Sequence, residues 1–179
     1  FVGGHNDADS VPVDELIAAA TSVLRREGKT LSTYGMQSGA LGYRPLREFL
    51  VRKLEKDAGI KCSADEILIT AGSLQGLDLV NNVMLSPVDT VIVEQMTYGG
   101  AITRLNRAGV NIVGVPVDDD GLSSNALAAT LADLKARGIQ PKYIYTIPTV
   151  QNPTATVMSA ERRQAILALS REHGVPIFE

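Results

Sequence analysis

The sequence predicts an α/β protein with a mostly parallel central sheet and helices on both faces. Two observations carry that expectation. From Ile67 onward, short β-rich runs alternate with helical patterns, as successive βα units do. Each run is almost entirely apolar, which strands covered on both faces require.

The elements follow in chain order. Val13, Leu16, Ile17, Ala20 and Leu24 form one apolar stripe that stops at Gly28, and Leu46, Phe49, Leu50 and Leu54 form another that stops at Gly59. Both spacings are those of an amphipathic helix. Residues 33–42 between them hold three glycines and Tyr34 without an apolar period, so an irregular loop is expected there. Strands are expected at 67–70, 90–94, 111–117, 143–147 and 175–178, and helices at 74–85, 100–108, 125–137 and 160–173. Ser123 or Ser124 can cap one helix and Ser159 another, with Glu161 favourable in the first turn. Gly109, Gly138 and Gly174 can end three of them. Both ends read as cut: the chain opens on Phe1 without a methionine and stops at Glu179, at the end of an apolar run.

Composition limits what the protein does. With 179 residues, 45% hydrophobic and 21% charged, the chain can bury a sizeable core and is not a disordered segment. Seventeen Lys and Arg against 20 Asp and Glu give a net charge of -3, so there is no overall basic field for nucleic acid. Cys62 is the lone cysteine, which permits no internal disulfide and suits a reducing compartment. No apolar run approaches the length of a membrane span, so the expected location is cytoplasmic. His5 and His173 are isolated and no metal centre is expected, while Asp118, Asp119 and Asp120 before Gly121 read as a solvated turn.

The strongest local feature is the segment 70–76, Thr-Ala-Gly-Ser-Leu-Gln-Gly, which follows an expected strand and opens a helix. Such a junction attracts anions through its first-turn N–H groups and the helix dipole, and Ser73 adds a hydroxyl. It is neither a Walker loop nor a full dinucleotide fingerprint, and a plain turn with Ser73 as helix cap is the competing reading. Further strand ends should open on the same edge of the sheet. They bring Tyr98, beside Gly99 and Gly100, where an aromatic ring can lie against a planar ligand, and Asn152, between Pro148 and Pro153, whose amide can donate to a ring substituent.

Taken together these residues resemble the pyridoxal-phosphate aminotransferases of fold type I, classes I and II. The resemblance covers essentially the whole chain: Gly3-Gly4, Tyr34-Gly35, Gly42, Leu46-Arg47, the turn at 70–73, Glu94 to Tyr98, Asn152-Pro153-Thr154, then 175–179. Within that family the chain looks most like the aromatic and 2-aminoadipate aminotransferase branch and its relatives fused to GntR-type DNA-binding domains. The resemblance implies a division into an N-terminal arm, helix and glycine-rich loop over 1–44 and an incomplete cofactor-binding large domain over 45–179. It implies that Gly72, Ser73 and Leu74 hold the phosphate of pyridoxal 5'-phosphate, Tyr98 stacks on its ring, and Asn152 donates to the ring 3-oxygen. Tyr34 would reach the phosphate in a neighbouring subunit of a homodimer, and Gly4 would lie beside the substrate carboxylate.

The resemblance also places the aspartate for the pyridinium nitrogen, the Schiff-base lysine and the carboxylate-binding arginine beyond Glu179, so no catalytic residue is expected in this chain and residues 1–179 alone should be inactive. Leu74 and Ala155 stand where many relatives have Gln and Gly. The implied activity is amino-group transfer between an amino acid and a 2-oxo acid. The alternatives are an effector-binding domain of a GntR-type regulator, where nucleic acid enters only through a fused domain, and a nucleotide-binding βα domain without pyridoxal chemistry.

Overall fold

The computed structural model describes residues 7–33 and 35–179. Gly4, His5 and Tyr34 therefore lie outside the described residues. The chain divides into two compact units, Phe1–Ala71 and Gly72–Glu179.

In the first unit, α1 (Val13–Glu27) has Asp14 and Glu15 in its first turn and Arg25 and Arg26 in its last, which complements the helix dipole. A 3-10 segment, Gly28–Thr33, continues it. α2 (Arg44–Ala58) carries Pro45 in its first turn and ends at Gly59, whose φ of +66° closes the helix in the left-handed conformation. Arg47 of α2 is buried, and its guanidinium satisfies three backbone carbonyls. Nε donates to Gly42 at 3.0 Å, Nη2 to Ser38 at 2.9 Å and Nη1 to Ala64 at 2.6 Å. One side chain thus fixes the glycine-rich loop against α2. Gly42 has φ +95°, and a Cβ there would lie 2.7 Å from the Cβ of Ile69, so the position accepts only glycine.

The expected strand at 67–70 does not form. Its residues have strand propensity, but a strand needs a ladder, and the segment is instead tied by separate backbone bonds, from the Ile69 N–H to the Leu41 carbonyl at 2.9 Å and from the Ile67 N–H to the Ala64 carbonyl at 3.4 Å.

The second unit is the βα structure. β1 (Thr90–Glu94), β2 (Asn111–Val115), β5 (Ile144–Tyr145) and β6 (Ile177–Phe178) form one parallel sheet in the order β2-β1-β5-β6. Strand alternation sorts its side chains to two faces. Val91, Val93, Tyr143 and Tyr145 pack with Leu77 of α3 (Ser73–Met84) and with Ala101 and Leu105 of α4 (Gly99–Ala108). Ile92, Val115 and Ile144 pack with Leu127, Leu131 and Leu134 of α5 (Ser124–Ala136) and with Ile166 of α6 (Ala160–His173). The sheet is therefore covered on both faces, as expected.

The boundaries shift for identifiable reasons. The run at 111–117 breaks at Pro116, which has no N–H for the ladder; Val117–Asp118 becomes β3 and pairs antiparallel with Gly121–Leu122, β4. Asp119 and Asp120 form the turn of that hairpin, with Asp118 held by Arg162 at 3.0 Å. β5 and β6 are shorter than the apolar runs that contain them, because only two register pairs join them. Ser123 caps α5 and Ser159 caps α6, while Gly109 and Gly174 end α4 and α6 with positive φ.

Tyr143 is 1% exposed, and its hydroxyl donates to Asn81 Oδ1 of α3 at 2.7 Å. Burial pushes its phenol up from 10.0 to about 12, so the fold favours the protonated form. A group whose pKa rises on folding stabilises the fold fully below its unfolded value and progressively less as pH passes through the folded one. Stability should thus fall between pH 10.0 and about 12. Tyr143→Phe should blunt that alkaline loss and cost about 1–3 kcal/mol at neutral pH, since Asn81 Oδ1 is left buried without its donor; urea titrations of both proteins across this pH range check the two expectations.

Candidate functional site

β1, β5 and β6 are parallel neighbours, so their carboxyl ends open on one edge of the sheet. A cleft of ≈ 490 Å³ lies at that edge, within the range of small-molecule sites. Ser73 lines it from the start of α3, Tyr98 from the loop after β1, and Asn152 from the loop after β5. Glu179 follows β6 into the same cleft.

Each of these is placed by its local structure. Ser73 is the first residue of α3, and the helix is preceded by Gly72 at φ +83°, which contributes no capping side chain. Ser73 is therefore not the cap but the first-turn residue, with Gly72 and Leu74 on either side of it. Tyr98 stands at the N-cap of α4 and is half-buried against the core between α3 and α4. Its ring is admitted by Gly100, where a Cβ would lie 2.5 Å from the ring carbons. Any larger residue at 100 would displace the ring from this position.

Asn152 is exposed on a pinned loop. The Met158 N–H donates to the Pro148 carbonyl and the Gln151 N–H to the Thr156 carbonyl, each at 2.9 Å. From α6, Arg163 Nη2 donates to the Pro148 carbonyl at 2.9 Å and Nε to the Met158 carbonyl at 3.1 Å. The Asn152–Pro153 peptide bond in this loop is cis.

Behind the cleft lies a polar cluster that sequence reasoning did not identify as part of the site. Glu94 ends β1 at 0% exposure. Its Oε1 accepts from Thr146 Oγ1 at 2.6 Å and from the Ile147 N–H at 3.1 Å, and its Oε2 accepts from Gln151 Nε2 at 2.7 Å. Gln151 and Thr146 are buried as well. The sequence does carry a signal for this cluster: a carboxylate closing the apolar run of Val91 to Val93, and a glutamine directly before Asn152. Tyr145 lines the cleft beside them. Burial, then the Glu94 carboxylate and Tyr98, push its phenol up and keep it protonated.

The arrangement offers an anion site at a helix start, an aromatic ring and an amide donor around one opening. The profile for aminotransferase class I and II matches residues 4–178. The chain belongs to this family. The aromatic-amino-acid aminotransferase 1 of Thermococcus litoralis is 32% identical over the full chain, which spans 42% of that protein. The crystal structure of LysN, the alpha-aminoadipate aminotransferase of Thermus thermophilus complexed with N-(5'-phosphopyridoxyl)-L-leucine, superposes with a TM-score of 0.85. It is 32% identical, over 99% of this chain and 42% of that one. An uncharacterized HTH-type transcriptional regulator of Bacillus subtilis, YdfD, is 33% identical over 91% of this chain and 32% of its own length. The chain thus spans less than half of each of these relatives.

The cofactor of this aminotransferase family is pyridoxal phosphate, and the residues of the cleft fit it. A dianionic phosphate suits the start of α3, and a planar pyridine ring suits the half-buried Tyr98 face. The chain's departure at Ala155 has a visible backbone consequence. Ala155 has φ +61°, the left-handed region that costs a residue with a Cβ roughly 1–2 kcal/mol. Ala155→Gly should relieve that cost and, after the added freedom of glycine in the unfolded chain, stabilise the protein by up to about 1 kcal/mol. Thermal unfolding of the two proteins side by side measures it, and a lower melting temperature for the glycine variant would contradict the assignment of strain.

Proposed function

We propose that this chain supplies the cofactor-binding part of an aminotransferase that moves an amino group between an amino acid and a 2-oxo acid. The observation that carries the reading is the convergence of Ser73, Tyr98 and Asn152 on one cleft at the carboxyl edge of a parallel sheet. In this reading the Ser73 hydroxyl and the backbone around Gly72 and Leu74 bind the cofactor phosphate. The Tyr98 ring lies on the pyridine and excludes water from that face, and the Asn152 amide donates to the ring 3-oxygen. Pyridoxal phosphate, when bound, acts as the electron sink for the substrate carbanion.

The proton-transferring base comes from elsewhere. No residue lining the cleft is a lysine, and Lys142 pairs with Asp89 at 3.5 Å, before the first residues of β5 and β1, at the opposite edge of the sheet. The reading therefore places the cofactor-bearing lysine beyond Glu179, with residues 1–179 alone inactive, and keeps the division at 44/45 as that between the arm and the large domain. Tyr34 is assigned to the phosphate of a neighbouring subunit and Gly4 to the substrate carboxylate. A homodimer in the cytoplasm is the expected working form. The similarity to YdfD supports a second reading, an effector-binding domain in a regulator, for which a fused DNA-binding segment would be the mark.

Two measurements test the first reading in the full-length protein. Ser73→Ala removes a charge-assisted donor of roughly 1.5–3 kcal/mol, so affinity for pyridoxal phosphate should fall about ten- to a hundredfold, with transamination falling alongside. Unchanged affinity counts against the phosphate assignment. Sedimentation should find a dimer, and Tyr34→Phe should weaken cofactor binding without dissociating it; a stable monomer with full affinity removes the Tyr34 role.

A further inference from the structure

We propose that Gln151 is a positioning residue for the cofactor-facing amide of Asn152, which it fixes by clasping Glu94. This rests on the cleft's being a pyridoxal-phosphate site. The geometry leaves the Gln151 amide one orientation. Its Oε1 accepts from the Thr154 backbone N–H at 2.8 Å, a group that can only donate. Its Nε2 donates to the Met96 carbonyl at 2.6 Å, a group that can only accept, and to Glu94 Oε2 at 2.7 Å. One side chain, 2% exposed, thereby ties the end of β1, the segment leading to Tyr98 and the Asn152 loop.

The backbone of Gln151 is held too. Its N–H donates to the Thr156 carbonyl at 2.9 Å and its carbonyl accepts from the Ala155 N–H at 2.6 Å. Asn152 itself is exposed, so its place in the cleft follows from the neighbour to which it is joined. Glu94 is in turn anchored to the end of β5 through Thr146 and Ile147, the two residues that follow it. The clasp thus refers Asn152 to the two central strands of the sheet and gives Tyr98 and Asn152 a common reference point. A loop pinned only for stability would need the contacts to Thr154 and Thr156; the donation to Glu94 and to the Met96 carbonyl is what couples it to the Tyr98 side.

Gln151→Glu in the full-length protein keeps the shape and the acceptor for Thr154 while replacing the donor to Glu94 and Met96. We expect the Kd for pyridoxal phosphate, read by fluorescence titration, to rise about tenfold, with a shift in the visible absorption of the bound cofactor. Placed on an Asn152→Ala background, the same change should add less than about twofold, because the two residues act as one unit. Gln151→Glu combined with Glu94→Gln restores a donor–acceptor pair and should recover part of the affinity. If Gln151→Glu does not fold, Thr154→Val, which removes the hydroxyl that donates to Gln151 Oε1 at 2.7 Å, carries the same cycle with a smaller effect in the same direction. A lowered melting temperature of the cofactor-free protein with unchanged Kd, or a loss that adds in full on the Asn152→Ala background, overturns the proposal. Wild-type protein that binds no cofactor overturns the aminotransferase reading along with it, whereas wild-type binding with an unaffected Gln151→Glu overturns this inference alone.

Discussion

A carboxylate withdrawn from water has to be surrounded by donors, and Glu94 at the end of β1 imposes that condition on everything around it. Removing an ionised group from solvent costs several kcal/mol unless its lone pairs are satisfied. The donors that satisfy it come from the segment that follows β5: Thr146, the Ile147 N–H and Gln151. The requirement therefore constrains the structure in a way that apolar packing does not. Hydrophobic contacts hold the strands together but are indifferent to small slips along them, whereas a hydrogen-bonded carboxylate fixes which residues leave the sheet and where. Among the described residues, no buried side-chain polar atom lacks a partner, so the cluster is closed.

The two faces of the sheet divide the remaining burden. Ile92 and Ile144 anchor the face under α5 and α6, while Val91, Val93 and the two tyrosines of β5 and its approach anchor the face under α3 and α4. The second face is the one that carries the cleft, and it is aromatic. The Phe178 ring meets Tyr143 and Tyr145 edge-on, at centroid distances of 5.7 and 5.8 Å. Rigid rings with few rotamers suit a wall that must keep its shape while one side stays open to a ligand. The same core also seats α3, whose start carries Ser73, so the Ser73 end of the cleft and the strand edge share one foundation.

Much of the second unit is legible in the sequence because the signals there are local. Strand runs bounded by Gly and Pro, serines before helices and glycines after them act within a few residues, and the helices of the fold begin and end close to where those residues stand. The misses have the opposite origin. The run 67–70 has the residues of a strand, but whether it becomes one depends on a ladder partner that no local pattern reports. Pro116 is a break by residue type, yet it sits inside a run of apolar neighbours that hides it. In the site, Ser73, Tyr98 and Asn152 announce themselves by residue type beside glycine or proline. Glu94 and Gln151 carry only a faint mark, a carboxylate closing an apolar run and a glutamine before Asn152, because their pairing spans 57 positions of sequence and forms only once the strands are adjacent.

Adjacency also bears on what the cleft is for. Fold and cofactor fit do not separate an enzyme from a sensor, since both need a phosphate held, a ring covered and a ring oxygen bonded. They differ in whether a proton at the substrate carbon can be moved. The cleft is lined by Ser73, by Tyr98 and Tyr145, the latter with its phenol pushed up by burial, by the exposed Asn152 amide and by Glu179, and behind it stands Glu94, whose oxygens are committed to donors. Glu94 cannot take up a proton without giving up hydrogen bonds to Thr146, the Ile147 N–H or Gln151, so its carboxylate is committed to holding the structure together. In the proposed reading the proton-transferring base lies outside this set, and the identity of that group, more than anything in the turn before α3, divides turnover from sensing.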